Sequence, residues 1–157
     1  MTEAEQREAV IAEALSWIGT PFRDCADVKG RNGGVDCVMS LVRWFVDSGM
    51  IEPFDPRPYS PQIFLHQEGE PYLEWIDERL HLTEIPEGQE RRGDLAVYKV
   101  GYSFAHGTLI LSDAEIIHAY KKEGCVLTSR RNNPNISQYP RGGIRPVRYF
   151  DPWRRAC

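Results

Sequence analysis

A cysteine and two histidines of this chain have side chains that could work together in a hydrolytic site. Cys37 follows the stretch Gly33–Asp36 and opens an apolar segment with helical periodicity. The amino end of a helix favours a thiolate, because the helix dipole is positive there. His106 and His118 lie in successive apolar segments with the pattern of strands. Cysteine catalysis needs a thiolate, a base beside it and a group that orients the base.

The two histidines meet only if their strands pair with the right parity. The predicted face of His106 also carries Phe104, Thr108 and Ile110, and that of His118 carries Ile116 and Tyr120. These faces coincide if the connection near 112–114 has an odd length or contains a bulge, since an even loop puts them on opposite faces. We then expect His106 to act as the base and His118 as its orienting group, with Cys37 reaching in from the helix.

Each of these residues also has an ordinary structural interpretation. A cysteine beside an apolar helix is often a core residue, and a histidine in a strand is often a satisfied core or surface residue. Asp36 has the position of a helix N-cap and needs no further role. Cys25 follows Asp24 and is a competing nucleophile, but no helical stretch follows it in the sequence. The pattern therefore favours Cys37.

Length, charge and cysteine content limit the class of protein. The 157 residues fit a single domain over 1–157, and the net charge of -4 weighs against nucleic acid or an anionic membrane as a partner. The four cysteines show no C-x-x-C pair and lack the spacing of a zinc site. The amino end does not resemble a signal peptide and no apolar run has membrane-spanning length. We expect synthesis in the cytoplasm.

The periodicity of the chain changes from helical to alternating near residue 92. Helices are predicted over 3–18, 36–48 and 72–80, and the proline-rich segment 50–61 is excluded from regular structure, although Ser60-Pro61 could open a short helix. Strands are predicted over 94–100, 104–111, 116–121, 126–130 and 144–150. The sequence therefore predicts an α+β fold, in which N-terminal helices pack on a C-terminal antiparallel sheet.

Five short motifs in this order resemble those of the NlpC-type cell-wall cysteine endopeptidases, a papain-like family. They are Gly19-Thr20-Pro21-Phe22, Asp36-Cys37, Gly93-Asp94-Leu95, His106-Gly107 and Ile117-His118-Ala119. Each motif is short, and their order is what makes the signal specific. The resemblance extends over about residues 8 to 150 and implies a single NlpC-type domain with the papain-like fold.

The resemblance implies a role for each candidate residue. Cys37 would be the nucleophile, His106 the general base and acid, and His118 the residue that orients His106. The backbone N–H of Cys37 would contribute to an oxyanion hole. Asp36 would hold the free amine of the substrate, with Phe22 beside it in the substrate site. The implied substrates are peptide-stem amide bonds of peptidoglycan, often next to D-glutamate or meso-diaminopimelate, and no cofactor or metal is implied.

The chain departs from the family pattern at several positions. Val38-Met39 replaces the usual Ser-Gly after the cysteine, and Phe22 lacks the hydroxyl of the usual tyrosine, for which Tyr59, Tyr98 or another donor could substitute. The proline-rich segment stands where the family has Leu-Pro-Arg. Its Tyr59-Ser60-Pro61, together with the later Glu74, resembles the branch found in bacteriophage tails and gene-transfer particles. That branch implies tail-tip or baseplate proteins as partners and action within a virion or phage-like tail at the cell wall.

Two other functions fit the same residues. The chain could be a structural tail-tip protein that keeps the fold with little or no activity, and Phe22, Val38 and Met39 favour that interpretation. It could also be an amidase or acyltransferase that uses the same cysteine and histidine.

Overall fold

The structure is a computed structural model that describes residues 1–60 and 69–153. Its helices are α1 (Glu3–Leu15), α2 (Cys37–Asp47), α3 (Pro71–Leu80) and the short α4 (Pro134–Ser137). Its strands are β1 (Asp27–Val28), β2 (Gly34–Val35), β3 (Thr83–Ile85), β4 (Leu95–Val100), β5 (Ser103–Ile110), β6 (Glu115–Tyr120), β7 (Cys125–Arg130) and β8 (Val147–Asp151). The predicted α+β arrangement, with the long helices before the main sheet, is confirmed.

The main sheet has six strands in the order β3-β8-β4-β5-β6-β7, and neighbouring strands pair antiparallel. β4, β5, β6 and β7 are neighbours in sequence and in space. β8 returns to the other side of β4 and carries β3 at the edge. β1 and β2 form a separate two-stranded hairpin directly before α2.

Alternating residues of the central strands build two apolar clusters on opposite faces of the sheet. The larger cluster joins the helices to the sheet and includes Val10, Trp17, Leu41, Phe45, Tyr72, Leu95, Val97, Leu109 and Ile117. The smaller cluster, on the other face, contains Ala96, Tyr98, Ile110, Ile116 and Ile136. Along their strands, His106 and His118 alternate in step with Ile110 and Ile116 of the smaller cluster. They therefore lie on the face of the sheet away from α1 and α2.

The first two helices begin where their capping residues predict. Thr2 and Glu5 form the capping box of α1, and Asp36 is the N-cap of α2. The predicted inner face of α2 is confirmed, since Val38, Leu41, Val42 and Phe45 are all buried.

Several boundaries differ from the prediction. α1 ends at Leu15 rather than residue 18, because the chain turns over residues 16–19 before Gly19 bonds to the backbone of β7. The last strand begins at Val147 rather than residue 144. The short strands β1, β2 and β3 and the helix α4 are not predicted from the sequence, because they have too few residues to establish a period. The possible helix after Ser60 lies outside the described residues.

A buried ion-pair network ties α1 to the sheet. The Arg7 guanidinium lies 2.6 Å from Asp94 Oδ1 and 3.1 Å from Asp151 Oδ1, and all three residues are buried. It also donates to the carbonyl of Arg92 and stacks 4.5 Å from the ring centroid of Trp153. Asp94 belongs to the Gly93-Asp94-Leu95 motif, so one function of that motif is to anchor the first helix. Within the described residues, no helix has the length and apolar character needed to cross a membrane.

Candidate active site

Gly33 is required by close backbone packing in the β1–β2 hairpin, and Gly34 packs against the side chain of Arg23. A Cβ atom at Gly33 would lie 1.9 Å from the carbonyl oxygen of Val28, which no side chain tolerates. The hairpin leads through Asp36 into α2, and the cap carboxylate accepts hydrogen bonds from the amides of Val38 and Met39. Cys37 is thereby fixed at the first position of the helix.

The two histidines form a hydrogen-bonded pair on successive strands. Ile110 pairs with Ile116, and the connection 111–115 between them has the odd length that brings both imidazoles to one face. His106 Nε2 lies 2.8 Å from His118 Nδ1. His118 Nε2 lies 2.8 Å from Ser129 Oγ on β7, so a polar chain runs from the buried His106 and His118 to the half-buried Ser129.

A bulge in β5 connects the cysteine to the histidine strand. Tyr98 pairs with His106 but Lys99 pairs with Phe104, so Ala105 is an extra residue without a partner on β4. Its carbonyl oxygen accepts a hydrogen bond from Cys37 Sγ at 3.6 Å. The nucleophile candidate therefore contacts the residue directly before the base candidate.

The same bulge corrects one sequence prediction. Phe104 was expected on the face of His106, but the extra residue reverses the alternation between them. Phe104 packs against the helix-side cluster, whereas His106 and Thr108 stay on the opposite face.

Gly107, directly after His106, allows α3 to approach the site. A Cβ atom there would lie 1.8 Å from the hydroxyl of Tyr72 and 2.6 Å from Cδ1 of Leu41. The Tyr72 hydroxyl donates to the backbone carbonyl of Cys37 at 3.1 Å. The glycine of the His106-Gly107 motif thus makes room for a tyrosine that holds the first turn of α2.

Asp36 accepts hydrogen bonds on both oxygens from within the chain. Besides the two helix amides on Oδ1, Oδ2 accepts the amide of Cys25 at 2.7 Å and the hydroxyl of Tyr59 at 2.5 Å. The Tyr59 ring lies 5.4 Å from the ring of Trp75 on α3. A substrate amine at Asp36 would share Oδ2 with these two donors, and the predicted amine-holding role stays a prediction.

These groups line one cleft of about 420 Å³ at the end of the sheet. The residues that line it from the part of the chain before α3 are Phe22, Asp24, Asp36, Cys37, Val38 and Tyr59. Those from the sheet and its connections are Tyr98, Val100, Ala105, His106, Tyr120, Lys121, Lys122, Ile136 and Arg145. The structure therefore brings Phe22, Asp36, Cys37 and His106 to one surface, with His118 behind His106.

Burial keeps the reacting groups neutral. Desolvation, reinforced by the Asp36 carboxylate, raises the pKa of the Cys37 thiol well above its ordinary value. Desolvation also lowers the pKa of His106 well below 6.5, with smaller contributions from His118 and Arg145. It lowers the pKa of His118 to about 4. The sequence predicted a thiolate favoured by the helix; that direction is wrong here, because burial and the neighbouring carboxylate oppose the charge.

A neutral thiol and a neutral imidazole in one cleft can still carry out a nucleophilic attack. Deprotonation of the thiol and protonation of His106 can occur together as the sulfur attacks an electrophile, so no separate charge has to be stored in the cleft. Among the described residues, no group of three or more histidine, cysteine or acidic side chains is arranged to hold a metal ion.

Neither a protein-family model nor a curated protein sequence matches the chain. The P60 domain of an antigen from Mycobacterium avium subspecies paratuberculosis is similar in structure, with a TM-score of 0.55 and 23% identity over 85% of this chain and 90% of that one. RipD of Mycobacterium tuberculosis, a non-catalytic NlpC/p60 domain protein adapted to peptidoglycan binding, has a TM-score of 0.55 and 17% identity over 93% of this chain and 96% of its own.

The chain has the NlpC/P60 fold. RipB, a peptidoglycan hydrolase of Mycobacterium tuberculosis, also shares it, with a TM-score of 0.55 and 23% identity. That match covers 87% of this chain and 65% of RipB. Structures with the NlpC/P60 fold thus include a hydrolase and a non-catalytic protein, so the fold by itself leaves the activity of this chain to the residues of the cleft.

Sequence reasoning missed two residues that contact the candidate catalytic groups of this cleft. Ser129 contacts His118 because β6 and β7 pair with His118 opposite Leu127, two positions away and on the same face. The contact between Ser129 and His118 follows from the register of β6 and β7. Tyr72 had no local signal, since only the packing of α3 against Gly107 shows its contact with Cys37. Tyr59 was considered as an oxyanion donor, but its hydroxyl donates to Asp36.

Proposed function

We propose that this chain is a cysteine peptidase that hydrolyses stem-peptide amide bonds of peptidoglycan. One observation carries the proposal. Cys37, at the first turn of α2, contacts the strand of His106, and both residues line one cleft in which His106 is hydrogen-bonded to His118. The fold supports it, since RipB, of the same fold, is a peptidoglycan hydrolase.

The proposed reaction begins with the neutral thiol and imidazole. His106 Nε2 is engaged with His118, which leaves Nδ1 to take the proton of Cys37 as the sulfur attacks the amide carbonyl. The carbonyl oxygen becomes an oxyanion, and the amide of Cys37 is the proposed donor to it, because Asp36 accepts the amides of Val38 and Met39 but not that of Cys37. His106 then protonates the departing amine, leaving a thioester. Water attacks the thioester with His106 again as the base, which releases the acid and restores the thiol.

One observation favours a second function, a peptidoglycan-binding protein without activity. The Cys37 thiol donates to the carbonyl of Ala105, and its pKa is raised by burial, so the nucleophile is in its less reactive form. RipD, with the same fold, is a non-catalytic protein adapted to peptidoglycan binding.

We further propose that the chain acts as part of a phage-like tail, together with tail-tip or baseplate proteins. The support is the resemblance of the proline-rich segment 50–61 to the tail-associated branch of the family. In the described part of that segment Tyr59 contacts Asp36, so the segment borders the cleft. Mass spectrometry of purified tail particles tests the proposal: we expect the chain at a fixed ratio to tail proteins, and particles that lack it would refute this location.

Digestion of purified cell-wall sacculi tests the hydrolytic function. The wild type and the matched control Cys125→Ser should release stem-peptide fragments, and the new termini identify the bond cut. Cys37→Ala should release none, and its thermal midpoint should stay near that of the wild type because the side chain is small and partly exposed.

Other outcomes of the same digestion separate the alternatives. Fragment release by Cys37→Ala would remove this residue from the mechanism. Binding of sacculi without release by any variant would favour the non-catalytic function. Products joined to an added amine, with little free acid, would indicate an acyltransferase.

A further inference from the structure

We propose that Tyr120 is a positioning residue of this site, whose ring holds the imidazoles of His106 and His118 in their hydrogen-bonded arrangement and keeps water away from them. The inference rests on the proposed function, because it gives the base of that reaction its orientation. Its basis is a cluster of three rings from two neighbouring strands, at the border of the cleft.

The three rings contact one another pairwise. Tyr120 is the last residue of β6 and lies two positions after His118, on the same face of the strand. The centroids of these two rings are 4.9 Å apart with an angle of 20° between the planes, which is a stacked arrangement. The end of β6 also comes alongside the antiparallel β5, where the Tyr120 centroid lies 5.2 Å from that of His106. One tyrosine ring therefore contacts both members of the histidine pair.

A hydrogen bond alone does not fix the planes of two imidazoles. His106 Nε2 lies 2.8 Å from His118 Nδ1, and a hydrogen bond weakens steeply as its angle departs from linearity. The torsion that rotates an imidazole about its bond to Cβ is broad and has no narrow wells. Packing against the Tyr120 ring limits this rotation in both histidines. The ring thus preserves the bond between them and the direction of the other nitrogen of His106.

The Tyr120 ring is itself held in place by the segment that follows β7. Its hydroxyl donates a hydrogen bond to the backbone carbonyl of Asn135 in α4. The side-chain oxygen of Asn135 accepts a hydrogen bond from Lys122 Nζ at 2.9 Å, and the neighbouring Ile136 is buried in the smaller apolar cluster. The fold therefore sets the position of the ring before any substrate binds.

The same ring separates His118 from the cleft. Tyr120 lines the cleft, whereas His118, on which it stacks, is fully buried. Within the described residues, His118 forms its side-chain hydrogen bonds with His106 and Ser129, and neither partner is charged at neutral pH. Burial is accordingly what lowers the pKa of His118 to about 4. A change in this pKa would report the access of water to the pair.

Three substitutions separate the ring from the hydroxyl and from simple bulk. Tyr120→Phe keeps the ring and loses the hydrogen bond to Asn135. Tyr120→Leu keeps much of the apolar volume without a flat ring, and Tyr120→Ala removes both. The control Tyr102→Leu changes a tyrosine that is 71% exposed in the turn between β4 and β5. A purely structural role of Tyr120 would change the thermal midpoint in these variants and leave the histidines as they are.

Nuclear magnetic resonance of the imidazole nitrogens tests the inference without requiring hydrolysis. Nitrogen chemical shifts identify the tautomer of each histidine, and their titration gives the pKa of His118. We expect one tautomer for each histidine of the pair in the wild type and in Tyr120→Phe. In Tyr120→Leu and Tyr120→Ala we expect a mixture of tautomers and a pKa of His118 raised by about one unit, because water reaches the ring. Unchanged tautomers and an unchanged pKa in either folded variant would overturn the inference.

Hydrolysis of a synthetic stem peptide measures the consequence for the reaction. Tyr120→Leu should lower kcat about 30-fold with little change in KM, because a misdirected base slows the chemical step. Tyr120→Phe should lose about threefold, since only one hydrogen bond is removed. Tyr102→Leu should keep the wild-type rate. A change confined to KM would make Tyr120 a substrate contact and overturn its positioning role.

Two results tell this inference apart from the proposed function. If the wild type cuts the peptide and Tyr120→Leu cuts it equally well, the positioning role fails and the peptidase function stands. If neither protein cuts the peptide while the imidazole signals change as expected, the peptidase function fails and Tyr120 still holds the histidine pair.

Discussion

Two buried polar clusters of this chain handle charge in opposite ways. Around Arg7, a guanidinium lies between the carboxylates of Asp94 and Asp151, and opposite charges compensate each other. Along the chain from His106 through His118 to Ser129, the groups meet through single hydrogen bonds. Burial holds both imidazoles neutral.

The difference indicates what each cluster can do. A paired buried charge is costly to disturb, so the Arg7 network fixes the position of α1 on the sheet. A neutral imidazole has no fixed counter-charge, so it can gain and lose a proton during a reaction. Mutation of each cluster should therefore affect a different property, which is stability for the first and proton transfer for the second.

The largest expected effect concerns the base. His106→Ala should lower kcat/KM for stem-peptide hydrolysis by about 1,000-fold, because a general base contributes about 100- to 10,000-fold. His118→Ala should cost less, since the base itself remains. The exposed His81→Ala is the control and should retain full activity. Equal and complete loss in both cleft variants would contradict the division into base and orienting residue.

Removal of the Arg7 side-chain charge should have the largest effect on stability. Arg7→Met leaves the buried Asp94 carboxylate without a cation and Asp151 paired only with the exposed Arg91, and it should cost about 3 to 5 kcal/mol, or about 10 °C in thermal midpoint. Burial already raises the pKa of the Asp94 carboxyl. Protonation of this carboxyl should therefore make the loss of stability in Arg7→Met smaller at pH 5. The control Arg92→Met breaks an exposed pair with Glu8 and an exposed hydrogen bond to the carbonyl of Leu111, and it should cost about 1 kcal/mol. An unchanged midpoint in Arg7→Met would show that the network contributes nothing.

Acid should destabilise the protein through His118. Its pKa in the folded chain is about 4, against the ordinary 6.5. Below pH 6.5 the unfolded chain binds a proton that the folded chain does not, so this contribution to stability is lost as pH falls toward 4. The loss is about 3 kcal/mol. Urea denaturation at pH 7.5 and 4.5 should show a smaller loss in His118→Gln than in the wild type. Parallel losses would contradict the assignment, and His81→Gln is the control.

The smallest effect is expected at the end of the polar chain. Ser129→Ala removes the hydrogen bond to His118 Nε2, which stabilises the pair by about 1 kcal/mol. kcat should fall about fivefold with little change in KM, and Ser129→Thr should restore it because the hydroxyl is kept. A change confined to KM would indicate that Ser129 acts on substrate binding instead.

The sequence predicted the elements with strong local signals. The capping residues Thr2 and Asp36 placed the starts of α1 and α2, and the apolar spacing of α2 identified its buried face. Alternation identified the five longer strands. The parity argument for His106 and His118 was also correct, because it needed only the length of the connection between their strands.

By itself, then, the sequence determined which residues could react and on which elements they lie. The tertiary structure decided what they touch: Ala105 at Cys37, Tyr72 behind it and Ser129 behind His118 come from distant parts of the chain. It also decided the sign of the thiol pKa shift. Helical periodicity and capping depend on neighbouring residues and can be seen in the sequence, whereas desolvation depends on everything that packs around a group and exists only once the chain has folded.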